Sequence, residues 1–358
     1  MNSPAGQPPV SHPPKLNRGD QVAVLSPSLA GPAFGPQVHE QALHRLRTTI
    51  GVQPVEYPTT RVNGCSPEAR AEDINAAFAD PKIAAILATV GGWSLIDVLP
   101  YLDMELIASH PKIFVGHSDN THINNYLFHC GISSFYGSST MIHIGSGPGI
   151  ARLHEESLRR VLFHGGSVRL GLPGWVADHG FDFADPRALT DHGPRVAFPD
   201  PVWGGASNTV TGHSWGGCIE VIDSLIHMSL IPSPEQLHGA ILLLETSNPR
   251  LTTQELSHFI AQLGNCGVLQ AAAGVLWALS PTTDVDFDLP LAQRAHLWRQ
   301  RAHTVISQVG KFNPDIPICC GYPFGHTQPQ IIMPHYGQIT MVPNPNSPTG
   351  GEVWAQYD

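Results

Sequence analysis

The chain has 358 residues, enough for about two domains, and its 42% hydrophobic and 13% charged residues are typical of a globular protein rather than a disordered one. A net charge of -10, with the 20 histidines counted as neutral, argues against nucleic acid as a partner because it offers no broad basic surface. The sequence has neither an apolar run of membrane-spanning length nor a signal-peptide core, so we expect a cytoplasmic protein with no membrane partner.

The first half of the chain predicts alternating strands and helices after a flexible, Pro-rich arm over residues 1–17. Apolar runs at 22–25, 52–57, 82–90 and 112–116 predict strands, and helical patterns at 37–49, 66–78 and from 95 onward fall between them. The run 82–90 is almost continuously apolar, which fits a strand covered on both faces. We therefore predict a doubly wound α/β domain over residues 18–165, with its chemistry at the carboxyl ends of the strands.

Residues 166–212 contain many Gly, Pro, Asp and Trp residues and little periodicity, which predicts a long irregular linker. Its two tryptophans, Trp175 and Trp203, either contact a ligand or pack the linker onto the domains. Beyond it, residues 213–358 predict a smaller second α/β domain. Its predicted helices are 217–228, 253–263 and 290–309, and its predicted strands are 241–244, 274–279 and 317–320.

The segment 111–129, P-K-I-F-V-G-H-S-D-N-T-H-I-N-N-Y-L-F-H, predicts a strand, a sharp turn and a helix, with Ser118 on the turn. Such a turn exposes a serine hydroxyl at the positive end of a helix, so Ser118 is either a nucleophile or a helix cap. Ser26 and the pair Gly91-Gly92 also follow strands of the same predicted sheet. This convergence at one sheet edge favours the nucleophile.

A competing serine lies in Gly212-His213-Ser214-Trp215-Gly216, which matches the G-x-S-x-G signature of α/β-hydrolases. That signature requires a buried strand directly before it, whereas residues 207–211, S-N-T-V-T, are polar. We therefore favour Ser118 and keep an esterase that uses Ser214 as an alternative.

A serine nucleophile needs a base, and the base needs a third group that orients it. His326 lies between a predicted strand and a Gly/Pro-shaped loop, and Glu245 ends the apolar run I-L-L-L, so each is either catalytic or a structural polar residue. His117, Asp119 and His122 lie close together in sequence. We expect no metal there, because a spacing of five does not place both histidines on one helical face and no H-E-x-x-H or C-x-x-C accompanies them.

With these residues in view, the chain resembles the LD-carboxypeptidase serine peptidases, in particular the branch of the microcin C self-immunity peptidases. The blocks that carry the resemblance include G-D-Q-V-A-V-L-S-P-S at 19–28, D-P-K-I-A-A-I-L-A-T-V-G-G-W-S at 80–94, P-K-I-F-V-G-H-S-D-N-T from 111, L-L-L-E-T-S at 242–247 and F-G-H-T-Q-P at 324–329. The resemblance implies that Ser118 is the nucleophile, His326 the base and Glu245 the residue that orients it.

The resemblance further implies an oxyanion hole formed by the backbone N–H groups of Gly92 and Asp119. It also implies a Rossmann-like N-terminal domain, a homodimer, and a site without metal or organic cofactor. We expect substrate contacts from four residues near these groups or in the aromatic linker, namely Gly91, Trp93, Trp175 and Trp203.

The implied activity is that of a serine carboxypeptidase or amidase cleaving an amide bond next to a free carboxylate through an acyl-enzyme. The implied substrates are LD-muropeptides or peptidyl-adenylates, that is, a small peptide or a nucleotide-peptide. The chain has His117 where the family usually has an aromatic residue, and Gly137-Ser138 where the family has Gly-Pro. These departures leave open a catalytically silent member that only binds such a ligand.

Overall fold

The computed structural model describes residues 10–358. Residues 1–9 of the predicted arm lie outside the described residues. The rest of the arm is attached to the protein: the Ser11 amide donates to the Gly131 carbonyl at 2.7 Å, and the buried Leu16 donates to the Leu162 carbonyl at 2.8 Å. The prediction of a loosely held arm is therefore wrong for residues 10–17, because backbone hydrogen bonds and a core leucine fix them.

The N-terminal half contains five strands of a six-stranded sheet and the helices that cover them. The elements in chain order are β1 Gln21–Leu25, α1 Gly31–Phe34, α2 Pro36–Arg45, β2 Gln53–Glu56, α3 Pro67–Ala79, β3 Ile83–Ala88, α4 Met104–Ser109, β4 Ile113–Gly116, α5 Thr121–His129, β5 Ser134–Tyr136 and α6 Arg152–Arg159. Short 3-10 or π turns lie at Leu46–Ile50, Leu95–Tyr101, Ser118–Asn120, Thr140–Gly145, Arg160–His164 and Pro186–Leu189.

The strands β2, β1, β3, β4 and β5 lie side by side in that order and pair in parallel. In β1, Val22 and Val24 face one apolar core, whereas Ala23 and Leu25 face another. Both faces are covered because the chain returns through helices on either side. The predicted α/β class with a doubly wound N-terminal sheet is therefore confirmed.

The segment 166–212 is more ordered than predicted. It contains β6 Ser167–Arg169, β7 Trp175–Val176, β8 Val196–Ala197 and β9 Val202–Gly205, and a further strand, β10 Val210–Cys218, begins within it. β6 and β9 form the two edges of the C-terminal sheet. The prediction of an irregular linker fails because strands of two to four residues are too short to show a hydrophobic period, while backbone pairing with neighbouring strands orders them.

An eight-stranded sheet forms the C-terminal half. The remaining elements are β10 Val210–Cys218, α7 Ile219–His227, β11 Ile241–Glu245, α8 Thr253–Asn265, α9 Val268–Ala271, β12 Gly274–Ala278, α10 Leu291–Val309, β13 Pro317–Tyr322, β14 Met333–His335, β15 Gln338–Pro343 and β16 Gly351–Gln356. The sheet order is β6-β16-β15-β10-β11-β12-β13-β9, and its centre, β10 to β13, is parallel.

The two halves share a sheet and an apolar core. β14 comes from the C-terminal half, yet it pairs antiparallel with β5 at the edge of the N-terminal sheet. One apolar core contains Phe135 from the first half together with Ile332 and Met333 from the second. As a result, the carboxyl ends of β4 and β11 lie close to each other. Within residues 10–358, no helix combines the length and the apolar character that crossing a bilayer requires.

Candidate active site

Ser118 lies on a turn between β4 and α5. β4 is fully buried, and two residues after its last residue, Gly116, the Ser118 backbone adopts a φ of 62°. Residues with a Cβ rarely occupy this left-handed region, so the surrounding structure must hold the turn against steric strain. The Thr121 hydroxyl contributes by donating to the Ser118 carbonyl at 2.7 Å. The turn presents the Ser118 hydroxyl at the carboxyl edge of the sheet.

The Ser118 hydroxyl belongs to a chain of hydrogen-bonded groups from three distant parts of the sequence. Nε2 of His326 lies 2.9 Å from Oγ of Ser118, and Nδ1 of His326 lies 2.7 Å from Oε2 of Glu245. Glu245 ends β11 and is 1% exposed, whereas His326 sits on the loop after β13 with its side chain 20% exposed. We call Ser118, His326 and Glu245 the triad. Its geometry allows the hydroxyl proton to move to His326 while Glu245 orients the ring.

In His326 and Glu245, pairing outweighs the effect of burial on the pKa. Burial alone would lower the pKa of His326, but the Glu245 carboxylate at 2.7 Å outweighs it, so this pKa is raised. Burial alone would raise the pKa of Glu245, yet His326 and the Tyr136 hydroxyl hold it below its usual value. Glu245 is therefore an anion at neutral pH, and it stabilises the imidazolium that forms when His326 takes a proton.

Tyr136, which was not predicted from the sequence, connects both ends of the triad. Its hydroxyl donates to Oε1 of Glu245 at 2.5 Å and accepts the Ser118 amide at 3.0 Å. Burial and the adjacent Glu245 raise the pKa of Tyr136, so the phenol keeps the proton that it donates. The sheet topology could have indicated Tyr136, because this residue pairs with Gly116 at the carboxyl end of the next parallel strand.

Gly91 and Gly92 lie against the Ser118 turn. A Cβ at Gly91 would come within 2.7 Å of Cβ and 2.9 Å of Oγ of Ser118, so only glycine fits. Gly92 has a φ of 149°, and a Cβ there would collide with Ser28. Among residues 10–358, no acceptor binds the Gly92 amide, which leaves this N–H available to a ligand.

The carboxylate of Asp119 has a structural set of partners. Its Oδ2 accepts the Ser28 hydroxyl at 2.5 Å and the Leu95 amide at 3.0 Å, and its Oδ1 lies 3.1 Å from Nδ1 of His122. His117 points elsewhere, with Nδ1 2.8 Å from the Ser138 carbonyl. His117, Asp119 and His122 therefore do not converge on one point. The Asp119 carboxylate instead links the Ser118 turn to the loop that contains Ser28.

The departures at 117 and 138 form one buried polar network. Burial, with a smaller contribution from His326, lowers the pKa of His117 to about 4, so this ring is neutral at neutral pH. It lies 5.2 Å from the ring of His326 between centroids. Ser138 has a φ of 62°, and its amide donates to Oε1 of Gln330 at 2.5 Å. Its hydroxyl lies 3.0 Å from Nε2 of His154, so both unusual residues are held by specific partners.

The three tryptophans predicted to contact substrate lie in different environments. Trp93 follows Gly92 and is 80% exposed. Trp175 lies beside Arg195 and His192, and two residues later Ala177 pairs with Gln328 of the His326 loop. Trp203 instead packs into the C-terminal sheet, where it would meet any Cβ placed on Gly350 or Gly351.

Ser214 does not lie on a turn. It sits in the middle of β10 and is fully buried, with its hydroxyl 2.6 Å from the Pro334 carbonyl and 3.0 Å from the Gly337 carbonyl. A nucleophile needs a base as its acceptor, and these carbonyls cannot take a proton. The match to G-x-S-x-G is therefore a feature of a structural strand.

The sequence matches two family profiles that together span most of the chain. The LD-carboxypeptidase N-terminal domain matches residues 22–137, and the LD-carboxypeptidase C-terminal domain matches residues 211–341. The chain belongs to the LD-carboxypeptidase family. Together with its carboxypeptidase-named relatives, this makes it a serine peptidase.

Two curated relatives align with most of the chain. A protein of Vibrio cholerae named as a carboxypeptidase is 26% identical over 325 residues, covering 89% of this chain and 91% of the relative. The microcin C7 self-immunity protein MccF of Escherichia coli is 25% identical over 270 residues, covering 74% of this chain and 73% of MccF. The similarity therefore extends well beyond the triad segments.

Solved structures share the fold. An MccF-like protein from Bacillus anthracis superposes with a TM-score of 0.79 at 22% identity, covering 97% of this chain and 99% of its own. MccF itself, solved with glutamyl sulfamoyl guanosine, has a TM-score of 0.79 at 19% identity, covering 96% and 98%. The two-half architecture is thus that of the MccF-like proteins.

Proposed function

We propose that this LD-carboxypeptidase family member cleaves an amide bond next to a free carboxylate through an acyl-enzyme on Ser118. The observation that carries the proposal is the continuous hydrogen-bond chain from Ser118 through His326 to Glu245. In the first step, Oγ of Ser118 attacks the amide carbonyl and its proton passes to Nε2 of His326. His326 then returns the proton to the leaving amine, and water hydrolyses the ester by the reverse sequence.

The tetrahedral intermediate needs donors for its oxyanion, and we assign this role to the backbone N–H groups of Gly92 and Asp119. The free Gly92 amide supports the assignment, as does the start of α5 beyond the turn, whose N-terminal end favours negative charge. One such donor is typically worth about 10²- to 10³-fold in turnover. Gly91 supports the site by allowing the two segments to approach each other closely.

We further propose that the substrate is a small peptide or a nucleotide-peptide, of the LD-muropeptide or peptidyl-adenylate type. Two observations support a nucleotide-peptide: the MccF structures contain adenosine monophosphate or aspartyl sulfamoyl adenosine, and the exposed indole of Trp93 offers a stacking surface. Trp175 is a second candidate for such contact. Trp203 has less support, because its ring packs within the C-terminal sheet.

We also propose that the protein acts in the cytoplasm as a homodimer and that the triad needs neither metal nor organic cofactor. A silent, ligand-binding role has less support than hydrolysis, since nucleophile, base and orienting carboxylate already lie within hydrogen-bond distance.

The test is a substrate screen with a matched nucleophile variant. LD-muropeptides with a terminal D-alanine and aminoacyl sulfamoyl adenylates are incubated with the wild type and with Ser118→Ala, and the products are identified by mass spectrometry. We expect the wild type to cleave at least one of the two classes and Ser118→Ala to lose about 10³-fold or more of that rate. Full hydrolysis by Ser118→Ala would refute the proposal, and binding without cleavage would support the silent role.

A further inference from the structure

Glu220 places a carboxylate at the edge of the triad. It is the second residue of α7, and its side chain is exposed. Oε1 accepts the Thr246 hydroxyl at 2.5 Å, and Oε2 accepts the Cys218 thiol at 2.9 Å and the Ser247 amide at 3.3 Å. These three donors fix the position of both oxygens without neutralising their charge.

The position of Glu220 relative to the triad follows from its partners. Thr246 and Ser247 directly follow Glu245, and the Cys218 sulfur, the carboxylate of Glu245 and a ring nitrogen of His326 lie within 4.8 Å of one another. The Glu220 charge is also one of those that raise the pKa of His326. A substrate group bound at Glu220 would therefore lie close to the reacting atoms.

Glu220 has no cationic partner in the protein. None of the salt bridges among residues 10–358 includes it, whereas the neighbouring Asp223 pairs with His227 at 3.7 Å. Glu220 also borders a groove of about 660 Å³ whose lining includes Asp223 and Glu255 but neither lysine nor arginine. A carboxylate oxygen offers about two acceptor sites, so Oε2 is filled by its two donors and Oε1, with one donor, can accept one more hydrogen bond from a ligand.

We propose that Glu220 determines specificity by binding a free ammonium group on the acyl side of the scissile amide. The inference rests on the proposed function, because it assumes that Ser118 attacks that amide. An ammonium forms a charge-assisted hydrogen bond with a carboxylate that is already oriented, and binding it requires no rearrangement of Glu220. The same charge repels the free carboxylate of the substrate, which must therefore lie on the leaving-group side, away from Glu220.

The test uses two covalent probes that differ only at the amine. Glycyl-alanine diphenyl phosphonate with a free N-terminal amine and its N-acetyl derivative are reacted with the wild type at pH 7, and the rate of modification at Ser118 is followed by mass spectrometry. We expect the free-amine probe to react about 10- to 100-fold faster, the range typical of a charge-assisted hydrogen bond. Glu220→Gln should reduce this ratio to about one, whereas Glu235→Gln, which changes an exposed carboxylate outside the groove, should preserve it.

The ratio of the two rates removes any effect that Glu220 has on the basicity of His326, since both probes meet the same enzyme. Modification of Ser118 with no preference between the probes would refute the ammonium site and leave the proposed nucleophile intact. A preference that persists in Glu220→Gln would also refute it. If neither probe modified Ser118 in the wild type, the proposed function would fail, and the ammonium site with it.

Discussion

At the scale of single residues, the protonation state of His326 controls the proposed reaction. His326 must be neutral to accept the Ser118 proton, and Glu245 raises its pKa. The rate should therefore rise with pH as His326 loses its proton, with a midpoint above the usual imidazole pKa of about 6.5. Below that midpoint His326 is protonated and cannot act as a base.

Glu245→Gln tests this dependence. Removing the carboxylate takes away the charge that raises the pKa of His326, so the acidic limb of the kcat/KM profile should move to lower pH. The amide also stabilises the imidazolium less well, and we expect kcat to fall by about 10³- to 10⁴-fold. Glu235→Gln, an exposed carboxylate elsewhere, should change neither quantity. An acidic limb that stayed in place would show that Glu245 does not set the basicity of His326.

Tyr136→Phe tests whether the Tyr136 hydroxyl positions Ser118 and Glu245 or only stabilises the fold. Without its hydroxyl, the buried Glu245 loses a donor and the Ser118 amide loses an acceptor, so we expect about 10- to 100-fold slower turnover and about 1–3 kcal/mol lower free energy of unfolding. Tyr357→Phe is the matched control, because that buried hydroxyl donates to the Ile332 carbonyl and to no group of the triad. It should lower the stability measured in urea without lowering kcat. Equal kcat values for both variants would contradict the role given to Tyr136.

At the scale of elements, the strand–turn–helix at Ser118 depends on the glycine that faces it. In Gly91→Ala the new methyl group must displace the Ser118 side chain, and a misplacement of about 1 Å typically costs about 10²-fold in rate. Gly149→Ala is the control, since nothing lies within 4 Å of a Cβ there. Modification of Ser118 by a phosphonate should slow in the first variant only. Equal rates would mean that the turn tolerates the extra methyl group.

The elements also show where sequence reasoning is informative. The helix predicted over residues 66–78 is α3, and the Ser66 hydroxyl caps it by accepting the Ala69 amide. The run at 82–90 contains β3, because a strand buried on both faces is continuously apolar. The edge strands β6 and β9 were missed because pairing with distant strands, rather than local pattern, orders them. Tyr136 and Glu220 were missed for a related reason, since their importance comes from partners brought close by the fold.

At the scale of the whole molecule, the shared core predicts that the two halves unfold together. β14 pairs with β5, and Phe135 stacks on Tyr357 with ring centroids 6.2 Å apart. The fluorescence of the C-terminal half, followed through its buried Trp215 and Trp277, and hydrogen exchange of β1 and β3 should give coincident urea transitions. Two separate transitions would contradict a shared core.

Met333→Ala provides a sharper form of this prediction. Met333 lies on β14 and is fully buried in the shared core, so its truncation should lower the stability of both halves by about 2–5 kcal/mol. Met104→Ala, which changes a side chain that is 44% exposed, should alter stability by less than about 0.5 kcal/mol. Loss of stability in the C-terminal half alone would show that β14 does not couple the halves. Sequence patterns could predict two α/β units. They could not predict that β14 joins the N-terminal sheet, because pairing between strands far apart in sequence leaves no local pattern.

We propose as nucleophile the serine on the β4–α5 turn, Ser118, and not Ser214 inside β10. The most direct test is reaction of the wild type with a fluorophosphonate followed by peptide mass mapping. We predict one modified residue, Ser118, with a labelling rate that rises as His326 deprotonates. Modification of Ser214, or an unmodified Ser118 at every pH at which the protein remains folded, would show that Ser118 is not the nucleophile.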